Sequence, residues 1–205
     1  MDLAEIVPHL FSQNPEMHIY IRGFGVISPQ RTFESSTPSI EMVDYSVNRL
    51  SCIEPDYKEI IDVKSIRRMS RIIRMGVASA MGCLKDARLQ LPDAIITGTA
   101  YGCLEDTVVF LKKMVENKEE MLSPAAFIQS THNTIGAQVS LILKCQNYNN
   151  TFTNRGFSFE NALLDSMMLL KEKEANDVLV GGINEISSSF SCNSSFRIII
   201  EKLSI

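Results

Sequence analysis

YNNTFTNRGFSFENALLDSMMLLKEKEANDVLVGGINE, residues 148–185, contains the pattern that decides the fold. Residues 148–156 are typical of a strand ending in a glycine turn, residues 158–175 of an amphipathic helix that Ser158 can cap, and residues 176–185 of a buried strand. A helix between two such strands is typical of a parallel β-α-β unit. The VLVGG centre of the last strand shows no polar alternation, so both of its faces are expected to be buried.

The same alternation extends toward the N-terminus. The remaining predicted elements are a strand at 18–28, a short helix at 40–50, a long helix at 65–89, a strand at 93–102, a helix at 104–117, a loop at 123–134 with a helix N-cap at Ser130 or Thr131, and an apolar helix at 135–145. Small residues in the long helix favour close approach by another backbone, which suits a helix packed between sheets. Buried strands alternating with helices predict a layered α/β fold with a largely parallel sheet.

Composition excludes several functional classes. The 205 residues have a formal charge of −4, which argues against a nucleic-acid binder because such a protein needs a basic surface. No apolar run approaches the roughly 18 to 20 residues that span a bilayer, and Asp2 and Glu5 interrupt any N-terminal signal sequence. We therefore expect a cytoplasmic protein.

The cysteines and histidines give no metal or disulfide pattern. The five cysteines (Cys52, Cys83, Cys103, Cys145, Cys192) contain no C-x-x-C pair, and the three histidines (His9, His18, His132) are scattered. Buried, reduced thiols are the simplest interpretation. We expect neither a metal nor a cofactor.

Four segments in order resemble the N-terminal half of β-ketoacyl synthases. They are IRGFGVISP (21–29), RRMSRIIRMGVASAMGCLKDA (67–87), GTAYGCLEDT (98–107) and the run from STHNTIGAQVSLIL (130–143) to NDVLVGGINE (176–185). The segments GCLEDT, FIQSTHNT and RGFSFE are most similar to those of truncated synthase-like proteins encoded in aryl polyene and flexirubin-type pigment clusters. The resemblance implies a thiolase-like half: layered α-β-α with a mostly parallel five-stranded sheet. It implies an extension at 1–16, the domain at 17–190 and a C-terminal tail at 191–205.

The family's nucleophilic cysteine is missing from the position that the resemblance implies. In active synthases this cysteine occupies the turn before a helix, whose N-terminus lowers the thiol pKa. Aligning from Asp177 places Phe157 there, and aligning from Asn133 and Gly136 gives Gly156 or Phe157. Cys145 lies twelve residues before Phe157 and cannot reach the turn.

The family's two catalytic histidines lie in its C-terminal half, in segments that these 205 residues do not include. His132 matches neither of them and is expected to be a buried or capping histidine. Ser158 is a substitute nucleophile only if a base lies nearby, so an N-cap is the favoured interpretation. The resemblance thus implies a chain without the condensation chemistry.

Two readings of Phe157 stay open. In the first, Phe157 is an apolar side chain that fills a lost active site, with burial worth about 1.5 to 3 kcal/mol. Alternatively, Phe157 and Phe159, with Asn133, shape or block an acyl channel shared with a partner. The arginines at the start of the long helix (Arg67, Arg68, Arg71, Arg74) are either a solvated face or a docking site for an acidic acyl carrier protein.

The favoured function is a chain-length-factor-like subunit that is catalytically silent and pairs with a complete synthase in fatty acid, polyketide or polyene biosynthesis. The strand YNNTFTNRG (148–156) is expected to meet its counterpart across a two-fold or pseudo-two-fold interface, in a heterodimer or a homodimer. The alternatives are a 3-oxoacyl carrier-protein synthase or acyltransferase completed by another polypeptide, a nucleotide-binding domain using GTAYG (98–102), and an inactive remnant. GTAYG lacks the Lys-Ser/Thr ending of a phosphate-binding loop.

Overall fold

The computed structural model describes residues 18–33, 46, 50–185 and 198–204, the last segment as backbone only. Within these residues one sheet has five strands: β1 (Tyr20–Ile27), β2 (Ala94–Gly98), β3 (Tyr148–Phe152), β4 (Asp177–Gly182) and β5 (Ile198–Ser204). Their order across the sheet is β1-β5-β4-β2-β3. β2 pairs in parallel with β3 and β4, whereas β5 is antiparallel to both β4 and β1. The prediction of a mostly parallel five-stranded sheet is confirmed.

The strand β5 lies in the segment that the sequence assigned to a C-terminal tail. Residues 198–204 pair with β1 on one side and β4 on the other, so the sheet extends past the boundary expected at residue 190. The run FRIIIEKLSI (196–205) has three consecutive isoleucines and no clean alternation, so its pattern does not distinguish a strand from an apolar end.

The described part of the chain contains six α-helices. They are α1 (Val63–Ile66), α2 (Arg71–Asp86), α3 (Leu104–Glu116), α4 (Pro124–Gln129), α5 (Thr134–Leu143) and α6 (Ser158–Lys171). Two short 3₁₀ turns, Tyr57–Glu59 and Arg155–Phe157, precede α1 and α6. The helices at 104–117, 135–145 and 158–175 were thus correctly predicted, with ends shifted by a few residues. The helix expected at 40–50 lies almost entirely outside the described residues.

Two helix predictions were wrong. The helix expected at 65–89 is divided into α1 and α2, because Ser70 adopts an extended conformation at the start of α2. Residues 124–129, expected to be a loop, form α4 with Pro124 in its first turn. Ser130 and Thr131 therefore donate their hydroxyls back to the last carbonyls of α4, and the N-cap of α5 is Asn133.

Helices cover both faces of the sheet. Side chains alternate along β2, so Ile95 belongs to one core with α2 and α5, and Ile96 belongs to a second core with α6. Leu179 and Val180 of β4 divide in the same way. The α-β-α layering predicted from the resemblance is confirmed.

Helix α2 lies very close to strand β1. A Cβ atom on Gly25 would lie 2.1 Å from the Ser79 carbonyl oxygen and 2.7 Å from the Cys83 backbone nitrogen. The Cys83 thiol donates to the Gly23 carbonyl oxygen at 3.3 Å. Small residues in α2 do allow a close backbone approach, as predicted, and the approaching backbone is the first strand of the same chain.

We expect Gly25→Ala to destabilise the protein, because its methyl group would collide with helix backbone that cannot rotate away. The free energy of unfolding should fall by about 1 to 3 kcal/mol or more in urea denaturation. Gly156→Ala is the matched control, since nothing lies within 4 Å of a Cβ there. It should change stability by less than about 0.5 kcal/mol. Equal effects of the two substitutions would contradict the close approach of α2 to β1.

Candidate functional site

The candidate site lies at the carboxyl edge of the parallel strands. The register pairs Gly98 of β2 with Phe152 of β3 and with Gly182 of β4, so these strands end level with one another. The loop 99–103, the turn 153–157 and residues 183–185 follow directly. Ligands of open α/β sheets bind at this edge, outside the carboxyl ends of the strands.

The turn between β3 and α6 is compact. Arg155 has a φ of 52°, in the left-handed region, and the Phe157 N–H donates to the Asn154 carbonyl oxygen at 3.1 Å. Helix α6 starts at Ser158, with Phe157 at its N-cap position and no side-chain cap. The N-cap predicted at Ser158 is therefore one residue too late.

Two glycines let the start of α6 rest directly on the sheet. A Cβ on Gly98 would lie 2.5 Å from the Ser158 carbonyl oxygen and 2.8 Å from the Phe159 Cα. A Cβ on Gly182 would meet the Phe159 ring at 3.1 Å. The ends of β2 and β4 thus fix the height of the α6 N-terminus above the sheet.

Phe157 points away from the protein interior. Its residue surface is 73% exposed, so it does not fill a cavity, and the reading of a buried plug is wrong for this chain. The neighbouring Gly156 also faces open space. Phe157 belongs to the 3₁₀ turn Arg155–Phe157, in which no residue is buried. The reading in which Phe157 faces a partner stays open.

The Ser158 hydroxyl is held by the turn itself. Ser158 is 2% exposed, donates its hydroxyl to the Arg155 carbonyl oxygen at 2.8 Å and accepts from the Asn154 N–H at 2.8 Å. No base among the described side chains hydrogen-bonds to it. Its role is to close the turn, and nothing in this arrangement activates it as a nucleophile.

The other predicted channel residues separate. Phe159 is half-buried against Gly182, between α6 and the sheet, whereas Asn133 is exposed at the start of α5. His132 is also exposed and packs against Gly102, whose φ of 70° leaves no room for a side chain. The expectation of a buried or capping His132 is therefore wrong.

Cys145 is far from the turn. It is buried beside the start of β2, where its thiol donates to the Pro92 carbonyl oxygen at 3.7 Å. The whole of β3, about 16 Å at the usual rise of a strand, separates it from residues 153–157. This agrees with the inference that Cys145 cannot act there.

The four predicted arginines do not form one patch. Arg71 Nε donates to Glu54 Oε1 at 2.6 Å, and the Arg74 guanidinium lies 5.6 Å from the centre of the Tyr57 ring. Arg67 and Arg68 are exposed in the turn between α1 and α2. Two of the four arginines thus have structural partners, which leaves Arg67 and Arg68 as the candidates for docking.

A group of carboxyls near the start of α3 was not predicted. Glu185, three residues after β4, accepts the backbone N–H of Glu105 at 2.8 Å, next to Asp106. Burial, with added repulsion from Asp106 and Glu105, raises the pKa of Glu185 to about 7. Burial also raises the pKa of the adjacent Cys103 thiol to about 12. No sequence motif signals this cluster, because Glu185 and Glu105 are 80 residues apart.

Among the described residues, no set of three or more His, Cys, Asp and Glu side chains is arranged to hold a metal ion. No helix of the described segments is long and apolar enough to cross a bilayer.

Several solved structures share this architecture. A ketosynthase in complex with its chain length factor (ApeO with ApeC) from Xenorhabdus doucetiae matches with a TM-score of 0.68 and 17% identity, covering 92% of this chain and 79% of that chain. The ishigamide ketosynthase/chain length factor matches with a TM-score of 0.69 and 14% identity, covering 92% of this chain and 62% of that chain. No curated protein matches the chain in sequence.

A third structure is a type II polyketide synthase acyl carrier protein in complex with its ketosynthase bound to the hexaketide (AntDE:AntF). It has a TM-score of 0.64 and 14% identity, covering 91% of this chain and 62% of that chain. The chain thus spans less than two thirds of the length of two of these three structures.

Together, the sheet order, the layering and these likenesses define a thiolase-like domain. A family model described as β-ketoacyl synthase, N-terminal domain, matches residues 54–191. The chain belongs to the β-ketoacyl synthase family.

We expect Phe157→Ala and Phe159→Ala to have different effects on stability. Phe157 is exposed, so its removal should change the free energy of unfolding by less than about 0.5 kcal/mol. Phe159 packs between α6 and Gly182, so its removal should cost about 1 to 3 kcal/mol. Chemical denaturation of the isolated protein measures both. A large loss for Phe157→Ala would restore the buried-plug reading.

Proposed function

We propose that this protein is a non-catalytic, chain-length-factor-like subunit that pairs with a complete β-ketoacyl synthase in the cytoplasm. Its pathway would build a fatty acyl, polyketide or polyene chain. The observation that carries the proposal is the turn at 153–158, which contains no cysteine and whose buried hydroxyl, Ser158, is committed to backbone groups.

The chemistry of condensation explains why this turn matters. An acyl thioester is attacked by a thiolate, and the N-terminus of a helix stabilises that thiolate. The α6 N-terminus is placed correctly on the sheet, but it presents an exposed phenyl ring and a hydrogen-bonded serine. We infer that this turn corresponds to the family's nucleophile position and that the nucleophile is absent. Two of the similar structures are a ketosynthase with a chain length factor.

An apolar stripe on α6 supports the presence of a partner. Phe157, Leu164 and Met168 lie seven and four residues apart, on one side of the helix. They are 73%, 57% and 49% exposed. A contiguous apolar helix face of this kind usually marks a protein interface.

The free edge of β3 is the second supporting feature. Among the described strands β3 pairs only with β2, and its side chains bond back to their own domain. Tyr148 donates its hydroxyl to Asp165, and the Asn149 side chain donates to the Gly136 carbonyl oxygen. The Thr151 N–H of this edge is taken by Asn150 Oδ1 at 2.8 Å. We infer that the rest of the outer edge of β3 meets a strand of the partner, in a heterodimer or a homodimer.

The residues proposed to face a growing acyl chain are Phe157 and Asn133. Both are exposed at the carboxyl edge, whereas Phe159 is turned toward the sheet. In the assembled pair the Phe157 ring would limit the space that a chain can enter from the partner's side. Chain length would then depend on the size of this side chain.

Co-expression with the complete β-ketoacyl synthase encoded nearest to it should yield a 1:1 complex in size-exclusion chromatography with light scattering. We expect Leu164→Asp with Met168→Asp to weaken the complex at least tenfold, because two charges would be buried at the interface. Lys113→Asp, on an exposed position of α3 away from α6, is the control and should leave binding unchanged.

A monomer at all concentrations, alone and with the synthase, would contradict the proposal. A homodimer that the same double substitution dissociates would assign the α6 stripe to self-association and exclude the synthase partner.

Arg67 and Arg68 are proposed to dock an acidic acyl carrier protein. Arg67→Glu with Arg68→Glu should weaken binding of the pathway's carrier protein about tenfold at 50 mM salt, with a smaller difference at 500 mM, because exposed charges are screened. Fluorescence anisotropy with labelled carrier protein measures this. Lys171→Glu with Lys173→Glu is the control pair on another surface. Equal binding by both pairs would contradict docking at Arg67 and Arg68.

A further inference from the structure

The helical hairpin formed by α3 and α4 (residues 104–129) is only lightly attached to the rest of the domain. Phe110 is the one buried residue of α3. Its ring packs against Phe127 of α4, with the ring centroids 5.6 Å apart. That contact lies within the hairpin. Val115 and Met121 are 79% and 95% exposed. The hairpin therefore depends on a few polar contacts at its base.

The contact from the strand side is made by Glu185. Its Oε1 atom accepts the Glu105 N–H at 2.8 Å, which joins the end of β4 to the first turn of α3. At the other end of the hairpin, the Gln129 side chain donates to the Arg68 carbonyl oxygen. Glu185 thus caps a helix that begins 81 residues earlier in the chain, since α3 starts at Leu104.

The surroundings of Glu185 are acidic. Glu105 and Asp106 on α3 carry the charges that act on it, and the Cys103 thiol lies beside them at the helix N-cap. No lysine or arginine of the described segments contributes to this cluster. Burial raises the pKa of Asp106, and a hydrogen bond from the Ser70 hydroxyl, at the N-cap of α2, only partly offsets it. When Glu185, Glu105 and Asp106 are all ionised, three negative charges lie together in a partly desolvated site.

We propose that Glu185 is a proton-dependent latch: protonated, it holds the α3–α4 hairpin against the carboxyl edge of the sheet, and ionised, it releases the hairpin. Repulsion from Asp106 and Glu105 and loss of water together outweigh the attraction of the carboxylate to the helix N-terminus. Opening would relieve both costs, because it returns the carboxylate to water. The inference is independent of the proposed function.

The direction of the pH dependence follows from the difference in the pKa of Glu185 between the closed and open forms. With the hairpin closed, burial raises the pKa of Glu185 to about 7, whereas in the open form the carboxyl should titrate near its ordinary value of about 4.5. The latch is therefore strongest below pH 4.5, weakens as the pH rises through the interval to 7, and is weakest above it. Burial also raises the pKa of Asp106, which acts in the same direction.

Hydrogen–deuterium exchange of the full chain tests the latch, comparing it with Glu185→Gln at the same pD so that intrinsic exchange rates cancel. Gln keeps the acceptor oxygen and cannot ionise. Peptides from 104–129 should exchange about tenfold more slowly in the variant at pD 8, and less than twofold more slowly at pD 5. Peptides from α6 and β2 should not differ.

Two further variants complete the experiment. Asp106→Asn removes one repelling charge and should also slow exchange of the hairpin at pD 8. Glu172→Gln, an exposed carboxyl at the end of α6, should leave the hairpin unchanged. Equal exchange in Glu185→Gln and the original protein at pD 8, or a change of the same size in α6 and β2, would overturn the latch.

Discussion

The seating of α6 on the ends of β2 and β4 is the constraint on which the rest of the site depends. Gly98 and Gly182 lack the side chains that would collide with Ser158 and Phe159 at the start of the helix. This position fixes the turn at 153–157, the direction of Phe157 and the hydrogen bonds of Ser158. The helix N-terminus thus lies directly on the strand ends, and the turn that it holds in place contains no cysteine.

Patterns of hydrophobicity were enough to predict most of the fold. The buried runs at 93–98 and 177–182 and the helical period at 158–171 are long or clean enough to be recognised. The sequence was less informative where the signal depends on another part of the chain. Residues 124–129 form a helix although Ser and Pro around them favour a loop, and residues 198–204 become a strand only because β1 and β4 supply partners.

The site was predicted less completely than the fold, for a physical reason. The absence of a cysteine from residues 153–158 can be read directly from the sequence, because it concerns residue identity alone. Whether Phe157 is buried or exposed depends on the path of the backbone, and the left-handed Arg155 has no sequence signature. The carboxyl cluster at Glu185 was missed because side chains from two distant segments meet there.

The place of β5 in the sheet has a consequence for how the protein is made. Among the described strands, β1 pairs only with β5, so β1 joins the sheet through a strand that is synthesised much later. Until residues 198–204 emerge from the ribosome, β4 has an unpaired edge and β1 has no strand to pair with. Both make the nascent chain prone to non-native strand pairing. Loss of those seven residues would leave β1 without a strand partner, and β1 would then be held to the domain by its packing against α2.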